Sequence, residues 1–345
     1  MENSNNDKIV LVTGGSGFIA SYCMIDLLNK GFKVRASLRS LNKIDHVKKM
    51  LGRGGVQSFE SLSFIQADLD NEASWEKAVE GCTYVIHTAS PTPNTDAKTD
   101  DDFIIPAKNG VLFVMKAATK AGVKRFVLTS AFGAVGMGTN KKTPYTEEDW
   151  TIINDTVAPY QKSKTISEQA AWEFIESRTT SMELSVVNPT GVYGPVLDAD
   201  TSHSVQPVIQ MLNGVMKACP KLTFGYVDVR DVADLHIKAM LSPEAKGERF
   251  IAVSGASLSF LDIAEILRKN LGDKAAKVPT KEIPDWIIRL TGLFSKKFDM
   301  IIPLLGNVKS ASNEKAKNLL GWKPRPMEEA ILATAKSVID LGLIK

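Results

Sequence analysis

Cysteine is scarce in this chain: three among 345 residues, at Cys23, Cys82 and Cys219. An odd number in apolar contexts makes no disulfide framework and fits a reducing cytoplasm. Long apolar runs are missing too. None approaches the ~20 residues that a bilayer span needs. Met1–Asp7 is polar, without signal or transit features, and reads as a frayed tail. Charge of one sign is not in excess. The net charge of +3 gives no pull toward nucleic acid or a membrane surface. Only four histidines occur, none spaced with other ligands, so no metal site is expected. Repeats and low-complexity tracts are absent. What remains is 44% hydrophobic and 23% charged, the balance of a soluble globular protein of one large domain or two.

One stretch organises the rest. Residues 8–20 read KIVLVTGGSGFIA. Ile9–Val12 is a β-branched apolar run, the pattern of a buried parallel strand. Gly14, Gly15 and Gly17 make a tight turn, and Phe18 opens a helical pattern closed by Gly31. A glycine turn between strand and helix lets backbone approach a pyrophosphate, and the helix N-terminus offers free N–H groups and a positive dipole end. The spacing Gly14-x-x-Gly17-x-x-Ala20 departs from G-x-G-x-x-G, with Ala20 as the third small residue. By itself the turn is weak evidence.

Further strands are expected at 32–39, 62–66, 83–87, 124–129, 182–188 and 250–253, with helices between them, including 75–79 and 104–121. This alternation predicts an α/β fold with a right-handed, doubly wound parallel (Rossmann) sheet. At the end of the second strand an acidic residue would bond a ribose 2′-hydroxyl. Here Arg39 stands there, with Lys43 four residues on, which favours a 2′-phosphate and so NADPH. Ala67-Asp68-Leu69 ends the third strand where adenine commonly lies. His87 reads as a buried strand-end histidine satisfied by backbone. It is followed by Thr88, Ala89 and Ser90, at a strand end where open α/β sheets bind ligands.

Tyr160-Gln161-Lys162-Ser163-Lys164 opens another helix. Tyr160 and Lys164 are one turn apart on one face. A tyrosine titrates near pKa ~10; a nearby ammonium would favour the phenolate and lower that value. Such a tyrosine can give a proton to a carbonyl oxygen. Beyond the breaker-rich Asn188–Pro195, a helix is expected at 205–212. Asp231 is a candidate cap for the helix after Val229, and Ser259 with Asp262 starts another. Trp286–Leu293 reads as core.

Together these pieces resemble the extended short-chain dehydrogenases, and within them the group of dihydroflavonol, cinnamoyl-CoA and methylglyoxal (aldehyde) reductases. The resemblance rests on TGGSGFIA, SLRS with Lys43, ADL, HTASP, IPAKNGV, VLTS, YQKSK, NPTGVYGP, YVDVRDVA and LGWKPR, in that order. It implies an NADP-binding domain at 1–188, with 228–253 returning to it. It implies a smaller substrate lobe at 189–227 and 254–345. It implies NADPH held by Gly14, Ser16, Gly17, Phe18, Ile19, Arg39, Lys43, Asp68, Leu69, Thr88, Ala89, Ser90, Thr129, Tyr160 and Lys164, with Pro189 and Val192 bordering the nicotinamide. Tyr160 would be the acid/base, and Lys164 would hold the ribose and tune it. The partner is a small-molecule carbonyl substrate, and the protein a monomer or homodimer.

One departure stands out: the family's catalytic serine aligns with Ala131. Ser130 is the candidate replacement. Strand side chains alternate faces. If the strand stays regular, Ser130 points away from where residue 131 faces, and Thr129 lies roughly 6.6 Å back. Only if the strand ends at Thr129 can Ser130 turn inward. The expected activity is NADPH-dependent reduction of an aldehyde or ketone. The alternatives are a sugar-nucleotide epimerase or dehydratase with tightly held NAD, and a non-catalytic NADPH-sensing regulatory protein.

Overall fold

The computed structural model describes residues 5–91, 99–177, 180–200, 202–292 and 301–345. Its centre is a seven-stranded parallel sheet. The strands are β1 (Ile9–Thr13), β2 (Lys33–Leu38), β3 (Leu62–Gln66), β4 (Tyr84–His87), β5 (Arg125–Thr129), β6 (Glu183–Pro189) and β10 (Arg249–Ala252), in the spatial order β10-β6-β5-β4-β1-β2-β3. β1 is the most apolar and lies centrally. Order reverses beside it: the chain runs outward through β2 and β3, then returns to β4 on the other side. Thr13 and His87 face each other across that reversal. The carboxyl ends there splay into a crevice, where open α/β sheets place ligands.

Helices cover both faces because both faces of each central strand are apolar. On one face, Cys23, Met24 and Leu27 of α1 (Phe18–Asn29) pack with Val47 and Leu51 of α2 (Ile44–Arg53) and with Val232 and Leu235 of α7 (Val229–Leu241). On the other, Trp75 of α3 (Ser74–Val79) packs with Val114 and Met115 of α4 (Asp101–Lys120) and with Ala171 and Phe174 of α5 (Pro159–Glu176). The cysteines are buried and unpaired.

A separate apolar cluster joins α6 (Gln206–Leu212), α8 (Phe260–Leu271) and α11 (Met327–Asp340) through Met211, Leu267 and Ile331. Two small sheets accompany it. One pairs β7 (Gly191–Tyr193) with β9 (Tyr226–Asp228); the other has β8 (Thr223–Phe224) between β11 (Leu258–Ser259) and β12 (Val308–Lys309).

Three local expectations change. The cap of α7 is Asp228, whose carboxylate accepts from the Arg230 N–H at 2.8 Å. Asp231 instead lies one turn in and binds the backbone N–H and guanidinium of Arg325. Helix α4 starts at Asp101 rather than Ile104, since two acidic residues suit its positive end. In α9 (Asp285–Gly292), only Ile288 is core. Trp286 and Leu290 are exposed, because the helix buries a single face. Leu293 lies outside the described residues. The cap of α8 is as expected, with Ser259 and Asp262 bonded reciprocally.

Candidate active site

The glycine turn forms the near wall of the crevice. Gly14 has φ +68°, a conformation that side chains with Cβ rarely adopt. A Cβ there would stand 3.0 Å from Ala89 Cα. The turn is braced by Ser37, whose carbonyl accepts the Gly15 N–H at 2.9 Å and whose hydroxyl accepts the Gly14 N–H at 3.2 Å. Ser16 and Gly17 are exposed, and no side chain caps α1 at Gly17. Phe18 and Ile19 follow in its first turn. The helix therefore presents uncapped N–H groups to an anion.

On the far side, Thr88 donates to the Thr13 carbonyl at 2.6 Å, and Ala89 N–H donates to the Thr13 hydroxyl at 3.0 Å. Ser90 beyond them is exposed. Further out, Arg39 and Asp68 line a shallow open hollow with Gln66 and Ser74. Arg39 and Lys43 are exposed and form no ion pair among the described residues. Leu69 lies inside, against Gly110 of α4. This rim offers free cations for a phosphate and a carboxylate for hydroxyls. Pro189 ends β6, and the Val192 side chain belongs to the core.

Helix α5 starts on Pro159, preset for a first helical turn. Along it Tyr160, Lys164 and Glu168 follow at steps of four, each deeper than the last: 42%, 9% and 0% exposed. Lys164 has no hydrogen-bond partner among the described residues, and its ammonium is 6.0 Å from the Tyr160 ring centre. Burial presses its pKa down to about 8, while Glu168 pulls the other way. The phenol of Tyr160 is raised above its ordinary value by loss of hydration. This differs from the sequence expectation of a lowered value: the ammonium is too distant here to outweigh desolvation.

Glu168 anchors a buried network that sequence reading missed. Its carboxylate accepts from Arg249 Nε at 2.5 Å, Asn188 Nδ2 at 2.7 Å and Trp172 Nε1 at 3.4 Å. Arg249 continues to the Glu147 and Asp149 carbonyls at 2.7 and 3.0 Å, and stacks on Trp150 at 3.7 Å. Asn188 also reaches the Ala131 carbonyl at 3.3 Å. One carboxylate thus fixes α5, the end of β6 and the residue at the family's serine position. The i+4 spacing from Lys164 was a visible signal for Glu168; nothing local pointed to Arg249.

The Ser130 question is answered by its neighbours. Thr129 donates to His236 Nε2 at 2.7 Å, on the α7 side; the other ring nitrogen of His236 donates to the Val232 carbonyl. β5 formally ends at Thr129, yet Ser130 N–H still donates to Val187 at 2.8 Å, so the ladder continues one residue. Alternation holds, and Ser130 Oγ faces the α5 side. There it shares a cavity of about 10 Å³ with Lys164 and His87, and has no partner among the described residues. Tyr160 does not line that cavity. Ala131 is extended (φ −160°, ψ 158°) and half-buried.

His87 is buried and neutral, pressed to about 3 by desolvation and by the Lys164 charge. Its Nδ1 contacts the Thr13 hydroxyl at 3.0 Å rather than backbone. That hydroxyl already accepts from Ala89, so its proton is free for Nδ1. The imidazole proton then sits on Nε2, which has no partner among the described residues. Among the described residues no group of histidine, cysteine and carboxylate side chains could hold a metal.

The chain is similar to known proteins in both sequence and fold. Residues 10–253 match the pattern of the NAD dependent epimerase/dehydratase family. Cinnamoyl-CoA reductase CAD2 of Medicago truncatula is 32% identical over 348 residues, covering 98% of each chain. NADPH-dependent methylglyoxal reductase GRE2 of Saccharomyces cerevisiae is 31% identical, covering 96% of this chain and 98% of that protein. The crystal structure of yeast methylglyoxal/isovaleraldehyde reductase Gre2 complexed with NADPH superposes with a TM-score of 0.79 at 28% identity, covering 97% of this chain and all of that one.

Proposed function

The chain belongs to the NAD dependent epimerase/dehydratase family, and we propose that it is a reductase of aldehydes or ketones that uses NADPH. The observation that carries this reading is Lys164: a nearly buried ammonium without a hydrogen-bond partner among the described residues, one turn below Tyr160, on the floor of a crevice walled by a glycine turn. A Cβ at Gly14 would close that wall, so the residues present fit a dinucleotide. Gly14, Ser16, Gly17, Phe18 and Ile19 would hold the pyrophosphate. Arg39 and Lys43 would hold the 2′-phosphate, and Lys164 the nicotinamide ribose. The absence of an acidic residue at the end of β2 argues against NAD and with it against an epimerase. Residues 1–188 and 228–253 form the cofactor lobe; 189–227 and 254–345 form the substrate lobe.

NADPH, when bound, supplies the hydride for the carbonyl carbon. Tyr160 gives its phenolic proton to the carbonyl oxygen. Lys164 stabilises the phenolate left behind. The Glu168 network keeps α5 at a fixed height over the sheet, so alignment is preset. Residue 131 contributes no hydroxyl. Among the described residues no helix is long and apolar enough to cross a membrane; the unpaired cysteines support a cytoplasmic setting.

The test follows NADPH consumption at its absorbance band with a panel of aldehydes and ketones. Turnover with NADPH and little with NADH is expected. A charged Arg–phosphate bond is worth ~1.5–3 kcal/mol. Arg39→Ala should therefore cut the NADPH preference by roughly ten- to a hundredfold. Equal use of NADH by the wild type would overturn the cofactor assignment.

A further inference from the structure

A second cavity, of about 160 Å³, opens beside the start of α5. Its lining comes from the loop after β5 (Met137–Asn140), from Thr156, Val157, Ala158 and Gln161, and from Leu304, Asn307 and Lys309 near β12. Ala158 and Gln161 flank Tyr160 in the first turn of α5, so the cavity borders the turn that carries the tyrosine.

Its notable member is Lys309. This lysine is 4% exposed and forms no ion pair among the described residues. Among the described residues its ammonium is met only by neutral oxygens: the Thr139 carbonyl, Asn140 Oδ1 at 2.8 Å and the Tyr145 hydroxyl at 3.2 Å, with the Tyr145 ring centre at 5.3 Å. A second cation on that ring, Lys141, is already neutralised by Asp149 at 2.7 Å. A buried charge without a counter-charge is costly, and structural joints seldom need one. Two of the three acceptors are held firmly: Tyr145 is buried, and its hydroxyl donates to the Thr139 carbonyl at 2.8 Å. The third, Asn140, is exposed, and its amide also donates to Asn307 Oδ1 at 3.2 Å, an exposed bond that water can replace. It covers the ammonium as a removable cap. Nearby, the Gln161 amide oxygen is buried and has no partner among the described residues.

We infer that this cavity is an anion subsite of the substrate pocket. Resting on the reductase reading above, it selects carbonyl substrates that carry a carboxylate remote from the reacting carbon. The carboxylate displaces Asn140 Oδ1 and pairs with Lys309.

The experiment compares two aldehydes of equal chain length, 4-oxobutanoate and butanal, in wild type, Lys309→Met and Lys309→Arg. Wild type should favour 4-oxobutanoate in kcat/KM. Lys309→Met should lower that value by about ten- to a hundredfold, the worth of a charge-assisted hydrogen bond. It should change butanal less than about twofold, and Lys309→Arg should restore most of the loss. Butanoate should inhibit wild-type reduction of butanal competitively, weakening as salt is raised; this arm stands even where Lys309→Met does not fold. Equal wild-type kcat/KM for the two aldehydes, equal losses in Lys309→Met, or no inhibition by butanoate would overturn the subsite while leaving the reductase intact. No NADPH oxidation with either aldehyde, or with any carbonyl of the panel, would instead overturn the reductase reading on which it rests.

Discussion

The floor of the crevice and the joint beside β12 each hold a lysine that is almost wholly out of water. Their surroundings differ. Lys164 has no hydrogen-bond partner among the described residues, and its charge is opposed by burial and supported by Glu168. Lys309 is wrapped by three oxygens and an aromatic face. An ammonium left bare where hydration is lost makes sense only if a ligand completes it. One wrapped by neutral oxygens has its hydrogen bonds but no counter-charge, which a ligand anion can supply. The first arrangement suits a group that must bind and release a cofactor hydroxyl at every turnover. The second suits a fixed field that selects among substrates.

The sharpest test of the floor is Tyr160→Phe. Loss of a positioned general acid typically costs ~10²–10⁴-fold in rate. Turnover should nearly vanish while NADPH still binds, as read by fluorescence titration; retention of more than a tenth of wild-type kcat would refute the assignment. Next comes the support beneath the lysine. Arg249→Met strands the Glu168 carboxylate without its cation, which costs about 3–5 kcal/mol for a buried pair. Chemical denaturation should show that loss. Lys141→Ala, at the half-exposed pair with Asp149, should cost under ~1 kcal/mol.

The charge on Lys164 itself gives a pH signature. Its pKa in the folded chain is about 8, below the ordinary 10.5. Between those values the unfolded chain binds more protons, so stability rises with pH through this window; below about 8 the buried charge weighs fully on the folded state. Lys164→Met removes that burden. Without cofactor, the variant should be more stable than wild type at pH 7 by ~3 kcal/mol, and the gap should close toward pH 10. A variant less stable at pH 7 would mean that Lys164 is already paired. The smallest effect on rate is at residue 131. A removed oxyanion donor typically costs ~10²–10³ in kcat, and Ala131→Ser, in a site evolved without it, should recover a several-fold gain. Ser130→Ala should cost less than tenfold, since its hydroxyl faces the Lys164 cavity. A hundredfold loss there, with no gain from Ala131→Ser, would give Ser130 the catalytic role.

Legibility followed the range of the forces involved. The apolar runs, the glycine turn and the Tyr160–Lys164 spacing are local, and each strand of the large sheet lies within two residues of where its pattern put it. The failures were also local in form but decided elsewhere. Trp286 and Leu290 are apolar, yet a helix with one covered face leaves them in solvent. Asp231 suits a cap, yet Asp228 stands first at the end of β9 and Arg325, far along the chain, claims Asp231.

From the sequence alone came the parallel sheet, the glycine turn before α1, the exposed cations at Arg39 and Lys43 and the placement of Tyr160 and Lys164 on one helix, because period, glycine and i,i+4 spacing act over a few residues. Only the tertiary structure decided what surrounds the two lysines. Arg249 reaches Glu168 across 81 positions and Lys309 reaches Tyr145 across 164. Burial, which sets both the pKa of Lys164 and the worth of its charge, depends on every element packed around it, and no local pattern encodes that.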